Sequence, residues 1–335
     1  MFRKAVNRLL NRARVVLASK RSVKFNHNIF CRRMACTDSV YKDIGEFRVF
    51  AWSISGIETS VVIKKPADGF SCCFDMGYSN RQTVSCDDVL ISHGHMDHIA
   101  AVPQHIKKRE LQGLRPASYY VPEHLIQPLT EACSQFYIMS ENTPHLKTPQ
   151  IYAVKPDEKI KLRRSYHAVA FPTVHRVKSQ GYMVYHTKRT LKSEFMELPP
   201  KEIGAMVQKG VNVHDRISIP EIAYTGDTTF EVFTNSPYTT PADLLKVKLL
   251  IVEATYMNDD CDYDERVSQA RQWGHIHLSE IYENAELFKD VENILLIHMS
   301  DKYSVKYIEE KVYENIPESL QNKIHISTLA KDRYI

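Results

Sequence analysis

The 335-residue sequence predicts a layered α/β fold, and three observations carry that reading. Short β-rich runs come first, strand and helix patterns then alternate, and the most apolar runs stop abruptly at histidine or aspartate. The runs 47–53 (FRVFAWS), 59–64 (TSVVIK) and 70–75 (FSCCFD) hold the β-branched and aromatic residues that suit a pleated surface. Residues 88–92 (DVLIS) predict a buried strand that leads straight into a histidine cluster. A helical pattern covers 99–111, and 118–121 (SYYV) is a further strand. Strands are expected again at 149–154, 166–171, 181–186, 220–225, 247–253 and 293–298, with helices at 277–289 and 304–315. The folded part is expected to span 45–335. Within it, His186 to Ile219 is the least core-like stretch, rich in Lys188, Arg189, Lys192, Lys201, Lys209 and Arg216 and interrupted by Pro199–Pro200. It reads as an inserted surface arm at about 186–219.

Composition narrows the class. Hydrophobic residues make up 43% and charged residues 25%, the balance of a soluble globular chain. No apolar run reaches the roughly 18 residues that a membrane-spanning helix needs, so no membrane partner is expected. The net charge of +4 is misleading over the whole length. Residues 1–37 hold ten basic side chains and no acid, which leaves 34 basic against 40 acidic residues beyond them. Nucleic acid would therefore have to be held by local basic patches. In the leader, Phe2, Val6, Leu9, Leu10, Ala13, Val16 and Leu17 recur at near-helical spacing among Arg3, Lys4, Arg8, Arg12, Arg14, Lys20 and Arg21. An acid-free, Arg-rich amphipathic leader suits mitochondrial import, or plastid import as an alternative. The competing reading is a disordered basic arm that binds RNA. Met34 is a second possible start, which would give a shorter cytosolic or nuclear form. Seven cysteines (31, 36, 72, 73, 86, 133 and 261) without a C-x-x-C pair argue against a disulfide scaffold or a thiolate zinc site.

The chemistry concentrates in His93-Gly94-His95-Met96-Asp97-His98, directly after the 88–92 strand. Two imidazoles two residues apart point to the same side while the backbone is extended. Asp97 and His98 then turn toward the next helix. One loop thus offers two nitrogens to one cation and an oxygen plus a nitrogen to a neighbour, a mixture that suits zinc. Buried without a cation, these groups would each need another partner. His175 closes AVAFPTVH, Asp227 follows IAYTG and His298 ends NILLIH. A single strand-end histidine is more often structural. Three such residues beside the first motif repeat one pattern, a ligand on the loop leaving a strand.

That order of residues resembles the metallo-β-lactamase superfamily. The resemblance implies a four-layer αββα sandwich and two Zn²⁺ per chain. It places His93, His95 and His175 on one ion, Asp97, His98 and His298 on the other, and Asp227 between them. Phe74-Asp75-Met76-Gly77 is similar to an early Asp-Gly turn of that fold, giving Asp75 an orienting role. Narrower likenesses point to ribonuclease Z, the tRNA 3′-processing endonuclease. They are His175-Arg176-Val177 with Ser179-Gln180-Gly181-Tyr182, then Tyr224-Thr225-Gly226-Asp227-Thr228, Glu253-Ala254-Thr255, Gly274-His275 and His298-Met299-Ser300-Asp301-Lys302-Tyr303. GHIHLSEI at 274–281 and the run at 188–198 look most like short-form plant enzymes. The chain departs from the family at Val252, at Ile276–His277 after Gly-His, and at Lys302, which loses the bidentate reach of arginine. The arm also lacks the glycine-proline element of bacterial relatives.

The resemblance implies hydrolysis of precursor tRNA after the discriminator nucleotide, leaving a 3′-OH on the tRNA and a 5′-phosphate on the trailer. Asp97 would orient the nucleophile as well as bind metal. His275, held and charged by Glu253, would protonate the leaving O3′. Ser179, Gly181, Lys302 and the basic arm are the expected substrate contacts, and a homodimer is expected from the family. The rival readings are a small-molecule hydrolase of the same fold, such as a cyclic-nucleotide phosphodiesterase or an arylsulfatase, and a non-catalytic RNA-binding member.

Overall fold

Strands buried on both faces build two sheets that face one another across a shared core. The computed structural model describes residues 40–140 and 149–333. The expected leader with Met34, Cys31 and Cys36, and His145, lie outside the described residues. In the first sheet, β1 (Lys42–Ile44), β2 (Phe47–Ile54), β3 (Glu58–Lys65), β4 (Phe70–Phe74), β5 (Asp88–Leu90), β6 (Ser118–Pro122) and β7 (Gln150–Val154) lie side by side in chain order. In the second, β8 (Lys159–Lys161), β9 (Tyr166–Thr173), β10 (Ser179–Leu191), β11 (His214–Tyr224), β12 (Leu249–Glu253), β13 (Ile294–Ile297) and β14 (Ile324–Ile326) do the same. Each sheet opens with antiparallel pairs, β1 to β4 and β8 to β11. Each then closes with parallel pairs. The two halves of the chain follow one plan.

Period-two side-chain alternation sorts the residues into layers. Val61, Ile63, Phe74 and Leu90 of the first sheet meet Tyr182, Val184, Ile222, Tyr224, Ile251 and Ile297 of the second in one core. The intervening residues Ala223, Leu250, Val252, Ile294 and Leu296 face the other way. They pack with Leu278 and Ile281 of a helix at Leu278–Glu283 and Ile308 and Val312 of another at Val305–Glu314. In chain order the helices are α1 (Arg81–Val84), α2 (Met96–Ile99), α3 (Val102–Leu111), α4 (Ile126–Met139), α5 (Pro200–Gln208), α6 (Tyr263–Gln272), α7 (Leu278–Glu283), α8 (Val305–Glu314) and α9 (Leu329–Arg333). On the outer face of the first sheet, buried His105 of α3 bonds the Tyr119 hydroxyl of β6 at 2.5 Å and the Thr83 carbonyl at 3.0 Å. Arg109 donates to the Val84 and Cys86 carbonyls, which caps the same layer. The architecture is the αββα sandwich. No helix of the described residues is long and apolar enough to cross a membrane.

Among the described residues, α1, α4, α5, α6 and α9 add to the sequence expectation. Helix α4 carries Pro128 in its first turn, where the missing N–H has no intrahelical partner to lose. Helix α6 is polar and buries only Val267 and Ala270, so it leaves little apolar periodicity to detect. The pattern at 277–289 divides into α7 and a single 3₁₀ turn at Ala285–Phe288. In the arm, β10 and β11 pair beyond the sheet from His186↔Ile219 out to Leu191↔His214. Between residues 186 and 219 only Val213 is buried, and Pro200 opens α5 at a position that tolerates it.

Gly181 corrects one expectation. It is buried inside β10, where an added Cβ would sit 2.4 Å from Phe171 Cζ and 2.7 Å from the Tyr224 carbonyl oxygen. It is a packing position and has no face for substrate. Gly181→Ala should lower stability by about 1–3 kcal/mol, because one obstacle is backbone and cannot rotate away. A denaturant melt measures this; a midpoint equal to wild type would contradict the packing role.

Candidate metal centre

Every candidate ligand leaves the carboxyl end of a strand or starts a helix. His93 follows β5, His95 immediately precedes α2, and Asp97 and His98 occupy that helix's first turn. His175 follows β9 and His298 follows β13 in the left-handed region (φ +62°). Asp227 follows β11 through Gly226, whose φ of +60° brings the loop within reach of Ser92. Ligand atoms of His93, His95, His175 and Asp227 fall within 4.8 Å of one another, as do those of Asp97, His98 and His298. The chain therefore brings all seven predicted metal residues together.

Hydrogen bonds decide which ring nitrogen faces inward. His98 Nδ1 donates to Asp75 Oδ2 at 2.7 Å, and His175 Nδ1 to the Gly274 carbonyl at 2.7 Å. Ser92 Oγ gives its proton to Asp75 (2.8 Å) and so accepts from His93 Nδ1 at 2.9 Å. Thr255 Oγ1 likewise gives its proton to Glu253 (2.5 Å) and accepts from His298 Nδ1 at 3.0 Å. Four Nε2 lone pairs are thereby aimed inward, and His95 joins them with Nδ1.

The spacings match a coordination shell. Four donors around zinc at about 2.0–2.1 Å stand roughly 3.3 Å apart along the tetrahedron's edges. His98 Nε2 lies 3.2 Å from His298 Nε2, and Asp97 Oδ2 lies 3.3 Å from each. Asp227 Oδ2 is 3.3 Å from His98 Nε2, 3.4 Å from His298 Nε2 and 3.8 Å from His93 Nε2, a position shared between the two groups. His95 Nδ1 is 3.0 Å from His93 Nε2 and 3.4 Å from His175 Nε2. Facing lone pairs at these distances repel unless a cation lies among them. The donors, imidazole nitrogens and carboxylate oxygens, fit metal binding.

Titration behaviour separates the two groups of ligands. Burial lowers the pKa of His93, His95 and His175, His93 the furthest, and leaves their lone pairs available at neutral pH. Burial works against ionisation of Asp97 and Asp227, but the imidazoles of His298 and His98 hold both carboxyls well below the usual carboxylate range. For His98, burial is outweighed by Asp227 and Asp75, which raise its pKa.

A second device stands beside the ligands. The last turn of α6 ends with Gly274 N–H bonded to the Arg271 carbonyl and His275 N–H to that of Ala270, with Gly274 at φ +78°. This double-bonded helix end fixes where His275 emerges. His275 Nδ1 then bonds Glu253 Oε1 at 2.9 Å. Burial would lower the His275 pKa, but the Glu253 carboxylate pushes it up to about 9, so the ring is a proton donor at neutral pH. Glu253 is fully buried and also accepts from the Thr228 and Ile276 amides.

Asp75 takes four donors, from Ser92 N, Ser92 Oγ, His98 Nδ1 and Tyr224 OH, in the orienting place that the Asp-Gly likeness implied. Sequence reasoning missed Thr255, Ser92 and the Gly56 amide, which donates to Asp97 Oδ2 at 2.8 Å. Thr255 and Ser92 stand inside motifs that were read, which was the available signal. Ser179 lies beside the centre, its Oγ 2.7 Å from that of Thr173. It lines a cleft of about 570 Å³ with His175, Arg176, Lys178 and His124. Lys302 is exposed, with its ammonium over the Tyr256 and Tyr303 rings. Gly181, as described above, does not reach this surface.

Comparison with known proteins agrees with the geometry. The family described as Beta-lactamase superfamily domain matches residues 75–299. The tRNase Z TRZ1 of Arabidopsis thaliana is 35% identical over 276 residues, covering 82% of this chain and 93% of its own. The chloroplastic tRNase Z TRZ2 of the same plant is 29% identical over 282 residues, covering 84% of this chain and 74% of its own. Among solved structures, the short form of human tRNase Z superposes with a TM-score of 0.52 at 15% identity, over 83% of this chain and 95% of that one. At that identity the likeness speaks for the fold.

The hydrogen-bond scheme makes Asp75 a support for metal affinity. Asp75→Ala should weaken zinc binding by about 10- to 100-fold, since it frees the His98 ring. Competition with a chromogenic chelator measures this; wild-type affinity in the variant would remove Asp75 from the scheme.

Proposed function

The chain belongs to the metallo-β-lactamase superfamily and, within it, to the ribonuclease Z family, and on that premise we propose that it removes the 3′ trailer from precursor tRNA with two zinc ions per chain. The carrying observation is the convergence of five imidazole nitrogens and two carboxylates beside a separately held Glu253–His275 pair. When bound, such a metal pair would generate a nucleophile from water near neutral pH and draw negative charge from the phosphate. His93, His95 and His175 would hold one ion, Asp97, His98 and His298 the other, and Asp227 both.

The chain's own groups account for the remainder. Asp97, pinned by the Gly56 amide, offers a fixed carboxylate to orient the attacking water and take its proton. Attack at phosphorus breaks the P–O3′ bond. The phosphate stays on the trailer as its 5′ end, and O3′ leaves with the tRNA. That oxygen departs poorly as an anion, and His275 is the placed acid that protonates it. Glu253 keeps the imidazole charged and turned. Ser179 beside the cleft, Lys302 and the basic arm are the substrate contacts in this reading, with the arm's phosphate contacts making affinity fall with salt.

Two further parts of the reading concern the whole protein. The acid-free leader supports mitochondrial import, with a cytosolic or nuclear form starting at Met34, or a plastid form, as alternatives. A homodimer is supported by apolar side chains left in solvent at the ends of α3 and α4, namely Leu111, Leu114, Phe136, Ile138 and Met139. The rival small-molecule hydrolase would use the same metal residues, so substrate decides between them.

The test is metal analysis together with cleavage of a labelled precursor tRNA, with and without chelator. About two zinc ions per chain and chelator-sensitive release of the trailer are expected. Turnover of a cyclic nucleotide or an aryl sulfate without cleavage of precursor tRNA would overturn the assignment. Asp227→Ala should abolish cleavage and lower zinc content. His275→Ala should cut kcat by about 10²–10⁴ with zinc retained, because it removes the proton donor and no ligand. Undiminished kcat would take His275 out of the mechanism.

A further inference from the structure

An exposed aromatic, Trp273, stands beside the centre. Trp273 caps α6 immediately before Gly274 and His275, and half of it, 52%, is in solvent. The double-bonded helix end that places His275 places Trp273 as well, two residues and at most about 7 Å of backbone away. Gly274 ties this segment to the metal side. Its carbonyl accepts from His175 Nδ1 at 2.7 Å, and a Cβ there would come within 2.7 Å of the same atom. The guanidinium of Arg176, the residue after His175, lies over the indole at 4.9 Å from the ring centroid. Among the described residues neither the indole N–H nor the guanidinium has a hydrogen-bond or ion-pair partner. Arg176 also lines the cleft beside His175, with exposed Lys178 and half-buried Ser179.

We propose that Trp273 and Arg176 form a stacking platform for an unpaired nucleobase next to the scissile phosphate. The inference rests on the ribonuclease reading and deepens it. A flat indole in solvent offers a face that any base can cover, and an unpaired guanidinium beside it offers a charge to the adjoining phosphate. The Arg176 contact holds the indole in one orientation, so less freedom is lost when the base arrives. The platform recognises the single-stranded character of the cleavage junction rather than its sequence.

The test uses the full chain with zinc bound. The sequence holds two tryptophans, and Trp52 is only 8% exposed, so quenching by added RNA reports mainly on Trp273. Titration with a precursor tRNA carrying a non-hydrolysable linkage at the junction should quench the wild-type emission but not that of Trp273→Phe. Trp273→Ala should raise KM for the cleavable precursor on the order of tenfold with kcat little changed, and Trp273→Tyr should restore it. Melting midpoints and zinc content of the variants should match wild type. Unquenched emission with RNA bound, or a wild-type KM in Trp273→Ala, would overturn the platform while leaving the ribonuclease assignment standing. Failure of the wild type to cleave any precursor tRNA would sink that assignment, and this inference with it.

Discussion

The hydrogen bonds made by four imidazole Nδ1 atoms govern the centre. Each ring spends its one proton outward, on Asp75, Ser92, Thr255 or the Gly274 carbonyl, and turns a lone pair inward. The acceptors are themselves fixed, because Ser92 and Thr255 have given their own protons to Asp75 and Glu253. Two buried carboxylates that bind no metal in this scheme therefore set the tautomers of three of the rings, His93, His98 and His298. A proton or a cation has to lie among nitrogens that face each other at 3.2 Å. The raised pKa of His98 shows how strongly the surrounding carboxylates, Asp227 and Asp75, favour positive charge there despite burial.

The fold makes this arrangement possible by repetition. Each half of the chain supplies a sheet whose parallel strands end at the same edge, and ligands ride on the loops leaving those ends. Asp75 joins the halves, since it takes His98 and Ser92 from the first and the Tyr224 hydroxyl from the second. Close approach of the loops depends on missing side chains. At Gly77 a Cβ would overlap the Asp97 carbonyl, and at Gly226 it would strike Ser92. The same economy of space places Glu253 at the end of β12, where it meets His275 from the end of α6.

Much of this was legible in the sequence, for physical reasons that also mark the limits. The His93–His98 motif is local, so its spacing alone encodes convergence. His175, Asp227 and His298 are far apart in the chain, yet each sits where an apolar run stops, and that pattern survives without coordinates. The supports are different. The Gly56 amide on Asp97 is a backbone group 41 residues away and leaves no mark in side-chain pattern. Thr255 and Ser92 stand inside recognisable motifs, but nothing in their spacing says which proton they give to whom. Gly181 shows the opposite error, since a motif glycine can serve packing or substrate, and only the Phe171 ring beside it decides. The polar helix α6 was invisible because it buries two small residues, although it positions both His275 and Trp273.

In the function proposed above, seven side chains define two cation positions with Asp227 between them. Anomalous diffraction at the zinc edge, from crystals of the full chain grown with zinc, tests it directly. The account predicts two peaks on either side of Asp227, one against His93, His95 and His175 and the other against Asp97, His98 and His298. A single peak, or peaks that leave Asp227 outside both shells, would contradict it.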